Sequence, residues 1–369
     1  MTQSRRSTIL SIAWLALFTT ALGAQTNGQG PKGPTTIGVI TIETGGSADY
    51  GTYTKNGLEL ARTEMRDGGI RLVTKDSKEN PQEAVRVFKE LQAEGAPLVI
   101  GPFTSTEARL VGAEAQRVGM VMITTSATAD ELGTIGDHVF MMLPPNNRQG
   151  SDQAAFARDK LSATRAAILY RQNAYGLSLR AGFVKTFKAK GGQVTREEAF
   201  PDNAEEFRDH LRVLAAGRPD VLFIAAHDKD TGRILRQAKE IRFPATKFLG
   251  GDGSMSPAMI ELAGDTAEGS IFSNVASLDP NFNRLYRERF GTDPSGYSAT
   301  AYDALKIVGE LVQKGITTSQ GLQKALIGLQ GHAGASGLTK FTRQGKSYWC
   351  LDKQYRQYEV KGGKFELIK

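Results

Sequence analysis

The chain has 369 residues with 40% apolar content, enough for two ordinary cores rather than one. Its net charge is +7, falling to +5 without the first 24 residues, which hold two arginines and no acid. Lysines and arginines are interleaved with carboxylates (Arg62, Glu64, Arg66, Asp67; Lys229, Asp230, Arg233), a pattern of solvated helix faces that argues against nucleic-acid binding. The single Cys350 and four histidines exclude an internal disulfide and a metal-ligand cluster.

Arg5 and Arg6 precede an apolar stretch, Ile9 to Leu22, ending in the small residues Ala21, Gly23 and Ala24. This is the layout of a secretory signal over residues 1–24, with cleavage after Gly23 or Ala24, and its core is short for a membrane span. An export signal implies a periplasmic destination. Residues 25–35 read as a flexible leader.

From Thr36 onwards the same supersecondary pattern is written twice. A strand (Thr36 to Ile42) is followed by Tyr50-Gly51, a helical run, Gly68-Gly69, a strand, a helix, and a strand opening at Pro97. A strand (Ala166 to Tyr170) is then followed by Tyr175-Gly176, a helical run, Gly191-Gly192, a strand, a helix, and a strand opening at Pro219. Tyr50 stands 47 residues before Pro97, and Tyr175 stands 44 before Pro219. Helix-spaced apolar sets (Leu58, Ala61, Met65; Ala84, Val85, Phe88, Leu91; Phe207, Leu211, Leu214; Ile234, Leu235, Ala238, Ile241) alternate with continuous apolar strands. The pattern predicts an α/β protein of two doubly wound parallel-sheet lobes.

After Ser273 three helices are expected (Phe282–Phe290, Ala299–Gln313, Gly321–Leu329), then a strand-rich tail from Lys340 to Leu367. Such a tail requires crossovers near Leu143–Asn147, Ser273–Ala276 and Gly337–Phe341, a three-crossover hinge. Lobe 1 is then 34–144 plus 275–337, and lobe 2 is 145–274 plus 338–369.

Two like lobes place a ligand cleft between the carboxyl ends of their strands. Phe103 to Thr106, leading into a helix, and Thr124, Thr125, Ser126 and Thr128 offer hydroxyl and amide donors suited to a carboxylate. Ser105 and Thr128 are equally readable as helix caps. Opposite them, Asp252 sits among glycines (Gly250-Gly251-Asp252-Gly253) and could meet an ammonium or bind its own backbone. Tyr50 and Tyr175, in phase, could close over a ligand. Asp228 points to the cleft or opens a helix.

No Gly-x-Ser-x-Gly elbow, His-Glu-x-x-His helix or dinucleotide fingerprint is present. Gly345-Lys346-Ser347 ends like a P-loop, but Lys340 replaces its first glycine. His227 beside Asp228 lacks a nucleophile at useful spacing. An enzyme is not expected, nor is a cofactor.

In order and spacing, Tyr50-Gly51 with Asn56-Gly57, Ile100-Gly101 with Thr104-Ser105-Thr106, Met122 to Leu132, Ala174-Tyr175-Gly176, Leu235 to Ala238, Asp252-Gly253, Ala263-Gly264 with Glu268-Gly269, and Ala299 to Ala304 carry a resemblance. Ile37 to Phe365 resembles the type I periplasmic binding proteins, specifically the leucine/isoleucine/valine-binding family serving ABC importers. The resemblance implies a monomeric receptor that delivers an α-amino acid to a membrane permease. It implies that Ser105 and Thr128 hold the carboxylate, and that a backbone carbonyl of the Thr128 loop, at Ser126 next to Ala127, takes part of the ammonium. It further implies that Asp252 pairs with the ammonium and that Tyr50 and Tyr175 form lids. Asp228 stands where the enteric members have a tyrosine, which departs from a purely aliphatic pocket. The alternative within the fold is an aromatic or aliphatic carboxylate, an amide or urea.

Overall fold

A computed structural model describes residues 33–65, 69–245 and 247–368. The expected export signal, and Gly68 of the first glycine pair, lie outside the described residues.

The first lobe begins with β1 (Thr35–Thr41), α1 (Ala48–Glu64), β2 (Ile70–Asp76), α2 (Pro81–Ala93), β3 (Leu98–Ile100), α3 (Ser105–Val118), β4 (Val121–Thr124) and β5 (Val139–Met141). The second continues with α4 (Asn146–Asp159), β6 (Arg165–Arg171), α5 (Ala174–Ala189), β7 (Gln193–Phe200), α6 (Arg208–Ala215), β8 (Val221–Ala225), α7 (Asp228–Glu240), β9 (Lys247–Gly250), α8 (Pro257–Ala263) and β10 (Ile271–Val275). Three helices follow: α9 (Pro280–Phe290), α10 (Gly296–Gln313) and α11 (Ser319–Ile327). The tail is β11 (His332–Gly334), β12 (Gly337–Thr339), β13 (Phe341–Gln344), β14 (Ser347–Cys350), β15 (Tyr355–Lys361) and β16 (Lys364–Leu367).

The two seven-stranded sheets have matching orders, β2-β1-β3-β4-β5-β14-β13 and β7-β6-β8-β9-β10-β15-β16. Their first five strands are parallel, and each sheet ends in an antiparallel edge pair contributed by the tail. The sheets are therefore mixed at their edges. Helices cover both faces, giving each lobe two apolar layers: Leu58, Ile100, Ala304 and Leu305 lie in one layer of the first, Phe88, Val99, Val111 and Met122 in the other. The counterparts in the second lobe gather around Phe200, Phe207 and Ile224, and around Phe183, Phe187 and Phe223. Phe183 and Phe223 stack with centroids 4.1 Å apart, a geometry worth about 0.5–1.5 kcal/mol beyond burial.

The repeated Tyr-Gly has a steric cause. A Cβ on Gly51 would stand 1.8 Å from the Ile42 carbonyl oxygen, and one on Gly176 would stand 2.2 Å from that of Arg171. Only glycine lets each helix start against the end of the first strand of its lobe, and that approach sets the tyrosine beside the cleft.

The third crossover differs from expectation. β14 pairs in parallel with β5 (Tyr348 with Phe140, Trp349 with Met141), so Phe341–Cys350 completes the first sheet and not the second. The chain changes lobes between Cys350 and Tyr355 rather than near Gly337–Phe341. An ion pair fixes this passage: fully buried Lys353 lies with its Nζ 3.7 Å from Asp303 Oδ2 and donates to Thr339 Oγ1 at 3.0 Å and to Ser336 Oγ. Asp303 accepts in turn from the Ala335 and Ser336 backbone amides at 2.7 and 2.9 Å. Both charges are thus supplied with partners, the condition under which burying them is tolerable.

Candidate functional site

In each sheet the strand order reverses beside the first strand, between β1 and β3 and between β6 and β8, and loops diverge there to open a crevice. The two crevices face each other across a shut seam. Tyr50 Oη, from the first lobe, donates to the Gly253 carbonyl of the second at 2.6 Å. Tyr355 Oη donates to Pro144 O at 2.8 Å, and the Asp130 amide donates to Ser178 Oγ at 3.0 Å. Tyr50, Phe103, Leu143, Val275, Tyr297 and Tyr355 form one apolar cluster drawn from both halves.

On the first lobe, Thr104 is the N-cap of α3: its extended backbone lets Oγ1 accept from the Glu107 amide, and Glu107 binds back to the Thr104 amide. Ser105 is therefore not the cap. Its Oγ accepts from the Thr128 and Ala129 amides, each at 3.2 Å, leaving its O–H proton available as a donor. Thr124 Oγ1 donates to Pro102 O at 2.9 Å and Ser126 Oγ to Phe103 O at 2.8 Å, so these two hydroxyls tie neighbouring loops together. Thr300 Oγ1, from α10, holds the Thr125 carbonyl at 2.8 Å. Thr128 differs from both: its side chain is fully buried and Oγ1 has no hydrogen-bond partner among the described residues.

On the second lobe, Asp252 is fully buried in a short 3₁₀ turn, Asp252–Ser254. Its Oδ1 accepts from Tyr175 Oη at 2.8 Å and from the Gly253 amide at 2.9 Å. The bond to backbone goes to the next residue's amide, one short of the Asx-turn pattern, and the other bond goes to a ring. Oδ2 makes no bond of full geometry. Desolvation pushes the carboxyl above its ordinary range, and the nearby Tyr175, Tyr297, Gly253 amide and Gln149 oppose the rise.

Tyr50 stacks on Phe103 at 4.9 Å, and Tyr297 meets both rings edge-on at 5.6 and 5.0 Å. The ring cluster thus links the Phe103 loop, to which Ser126 is bonded, to the Asp252 turn. Sequence reasoning missed Tyr297 and Gln149. The helix carrying Tyr297 begins at Gly296, with Ser295 as its N-cap, not at Ala299; that cap was the available signal.

Asp228 lies apart from this group, in the first turn of α7. Its Oδ2 accepts from Ser256 Oγ at 2.7 Å and its Oδ1 from the Lys229 amide at 2.8 Å. It lines a cavity of about 280 Å³ formed by Gly46, Ser47 and Glu79 of the first lobe and Arg171, His227 and Asp230 among others of the second. Burial raises the Asp228 carboxyl, takes Asp230 up to about 6 against the opposing charge of Arg171, and lowers His227 to about 3. His227 is therefore neutral at ordinary pH and only weakly basic. Among the described residues, no cluster of three metal-ligating side chains occurs, and no helix is long and apolar enough to cross a membrane.

Two duplicated lobes closed over buried polar groups define a receptor class: proteins that trap a small molecule in an interlobe cleft. Residues 34–364 match the model of the periplasmic binding protein family, and the chain belongs to that family. It is 28% identical over 248 residues to the Leu/Ile/Val-binding protein BraC3 of Rhizobium johnstonii, covering 65% of this chain and 67% of that protein. The structure is similar to that of a leucine binding protein, LivK, from Thermotoga maritima, with a TM-score of 0.85, 24% identity, and 91% and 98% of the two chains covered. It is also similar to a solute binding protein of an ABC transporter from R. palustris in complex with benzoate, with a TM-score of 0.79, 22% identity, and 91% and 96% covered.

Proposed function

We propose that this protein is the capture component of an ABC import system, exported to the periplasm, acting as a monomer and passing an α-amino acid to a membrane permease. The observation that carries this reading is that Thr128 Oγ1 on one lobe and Asp252 Oδ2 on the other, both in fully buried side chains of a shut structure, are among the buried polar atoms without a hydrogen bond of full geometry, Asp252 having only the loose approach of Tyr297 and Gln149 there. Buried polar atoms are almost always satisfied. A zwitterion supplies what each lacks: its carboxylate accepts from the Thr128 and Ser105 hydroxyls, and its ammonium donates to Asp252 Oδ2 and to backbone carbonyls of the Ser126–Ala127 loop. Tyr50 bridges the lobes over it while Tyr175 holds the acid. The role is binding and release, with no bond of the ligand made or broken. Two relatives support the reading by name, since BraC3 and LivK are described as binding Leu/Ile/Val and leucine.

The benzoate-bound relative supports a second reading, a carboxylate without an ammonium. Asp252 disfavours it, because shutting the cleft on such a ligand would leave a buried carboxylate without its counter-charge. Thermal shifts separate the two, since a ligand at 100 times its Kd adds about 2.7 kcal/mol of stability. Amino acids should raise Tm and simple carboxylates should not. The opposite ranking, or turnover of a bound ligand, would overturn the proposal.

A further inference from the structure

We infer that the side chain of the bound amino acid carries a positive charge, taken between Asp228 of the second lobe and Glu79 of the first. The inference rests on the α-amino-acid reading of the cleft and specifies its ligand.

The interlobe cavity is lined by four acids, Glu79, Glu205, Asp228 and Asp230, and by the cations Arg171, Lys229 and Arg233. Several of these charges are already matched. Arg171 binds Asp202 at 2.6 Å and Asp230 at 3.4 Å, and Arg233 binds Glu205 at 3.0 Å. Glu79 and Asp228 have hydrogen bonds but no ion pair within 4.0 Å among the described residues, with the charge of Lys229 acting on Asp228 and that of Arg171 on Glu79 only at longer range. Glu79 accepts from the Ser47 amide and hydroxyl at 3.0 Å each, and Asp228 from Ser256 and the Lys229 amide. Each carboxylate keeps lone pairs for another donor.

The position of Asp228 ties this cavity to the proposed head-group site. Ser254, in the Asp252 turn, shares a hydrogen bond with Thr231 of α7 at 2.9 Å and donates to Ala226 O at 3.1 Å, and Ser256 donates to Asp228, so the turn that carries Asp252 packs on the start of the helix that carries Asp228. A ligand side chain directed from Asp252 towards the start of α7 would therefore approach Asp228. Asp49, exposed in the first turn of α1, adds a minor negative potential from the opposite lobe. With an aliphatic tip, Asp228, already buried, would gain no counter-charge for its desolvation. With an acidic tip, Arg171 would be asked for a third carboxylate, or Lys229 would be drawn off Asp228, leaving that acid without the cation acting on it. A cation relieves the like charges that oppose closure across the cleft, so the same contact selects the ligand and favours the shut form.

The test is calorimetric titration of the protein with lysine, norleucine and glutamate. Lysine and norleucine share head group and chain and differ chiefly in the terminal ammonium. Lysine is expected to bind at least tenfold more tightly than norleucine. That ratio should fall towards one in Asp228→Asn, and fall also in Glu79→Gln, which keeps the test open if the first variant folds poorly. Norleucine or glutamate binding as well as lysine, or a ratio unchanged in both variants, would overturn the inference while leaving the head-group site standing. If no amino acid binds at all, both readings fall.

Discussion

The two lobes share a strand order and a Tyr-Gly helix start, yet they bring opposite chemistry to the seam. The first offers hydroxyls and amides from the turns after β3 and β4. The second offers a buried carboxylate, Asp252, buttressed by tyrosines, and a further acid pair at the start of α7. The duplicated part is the sheet with its covering helices, and the divergent part is the set of loops at the reversal of strand order. A scaffold that repeats can thus bind a molecule that is not symmetric, because each half is free to match one end of it.

The comparison breaks most visibly at Asp252. Truncating one partner of a buried charge pair costs roughly 2–5 kcal/mol, so Asp252→Ala should weaken amino-acid binding by tens to thousands of fold. Thr128→Val, on the facing lobe, removes a single hydrogen bond to a charged group. Such a bond is worth about 1.5–3 kcal/mol, or about ten- to a hundredfold in Kd. Calorimetry in which the threonine change outweighs the aspartate change would reverse the assignment of the lobes.

Much of this architecture can be read from residue order. Continuous apolar strands between amphipathic helices specify covered parallel sheets, and Tyr50-Gly51 and Tyr175-Gly176 mark the same point in each lobe. Sheet membership of the tail cannot be read that way. The alternating pattern of Phe341 to Cys350 suits an edge of either sheet, and only its pairing with Phe140 and Met141 places it in the first. The role of Ser105 was equally open, because Thr104 and Ser105 are both cap-forming residues; the backbone of Thr104, at φ −80° and ψ 150°, settles which one caps. Tyr297 escaped notice because its partners lie on other elements far along the chain.

A pH experiment sharpens the contrast within the second lobe. Asp230 has its carboxyl raised from 3.8 to about 6 by burial, so the folded form holds the proton more tightly than the unfolded chain does. Its contribution to stability is present below pH 4 and is lost as pH rises towards 6, by up to about 3 kcal/mol. His227, lowered from 6.5 to about 3, acts in the opposite direction: the unfolded chain takes up its proton as pH falls below 6.5. The parent's curve therefore blends the two. Asp230→Asn isolates one of them, and denaturant unfolding should show the variant gaining on the parent between pH 4 and 6. A constant difference across that window would remove the titration from Asp230.

The smallest expected effect tests whether the two in-phase tyrosines do the same work. Tyr50 Oη donates across the seam to Gly253 O, whereas Tyr175 Oη donates within its own lobe to Asp252. Tyr50→Phe leaves a carbonyl unpaired only when the lobes are shut, since water reaches it when they part. The closed form alone should lose about 0.5–1.5 kcal/mol, seen as an up to tenfold weaker Kd and a larger scattering radius at subsaturating ligand. Tyr175→Phe leaves the seam intact and strips Asp252 of a donor in open and shut forms alike, so it should leave the radius of the empty protein unchanged while altering affinity. If both variants shift the radius equally, the tyrosines are equivalent lids and the division of labour between them is wrong.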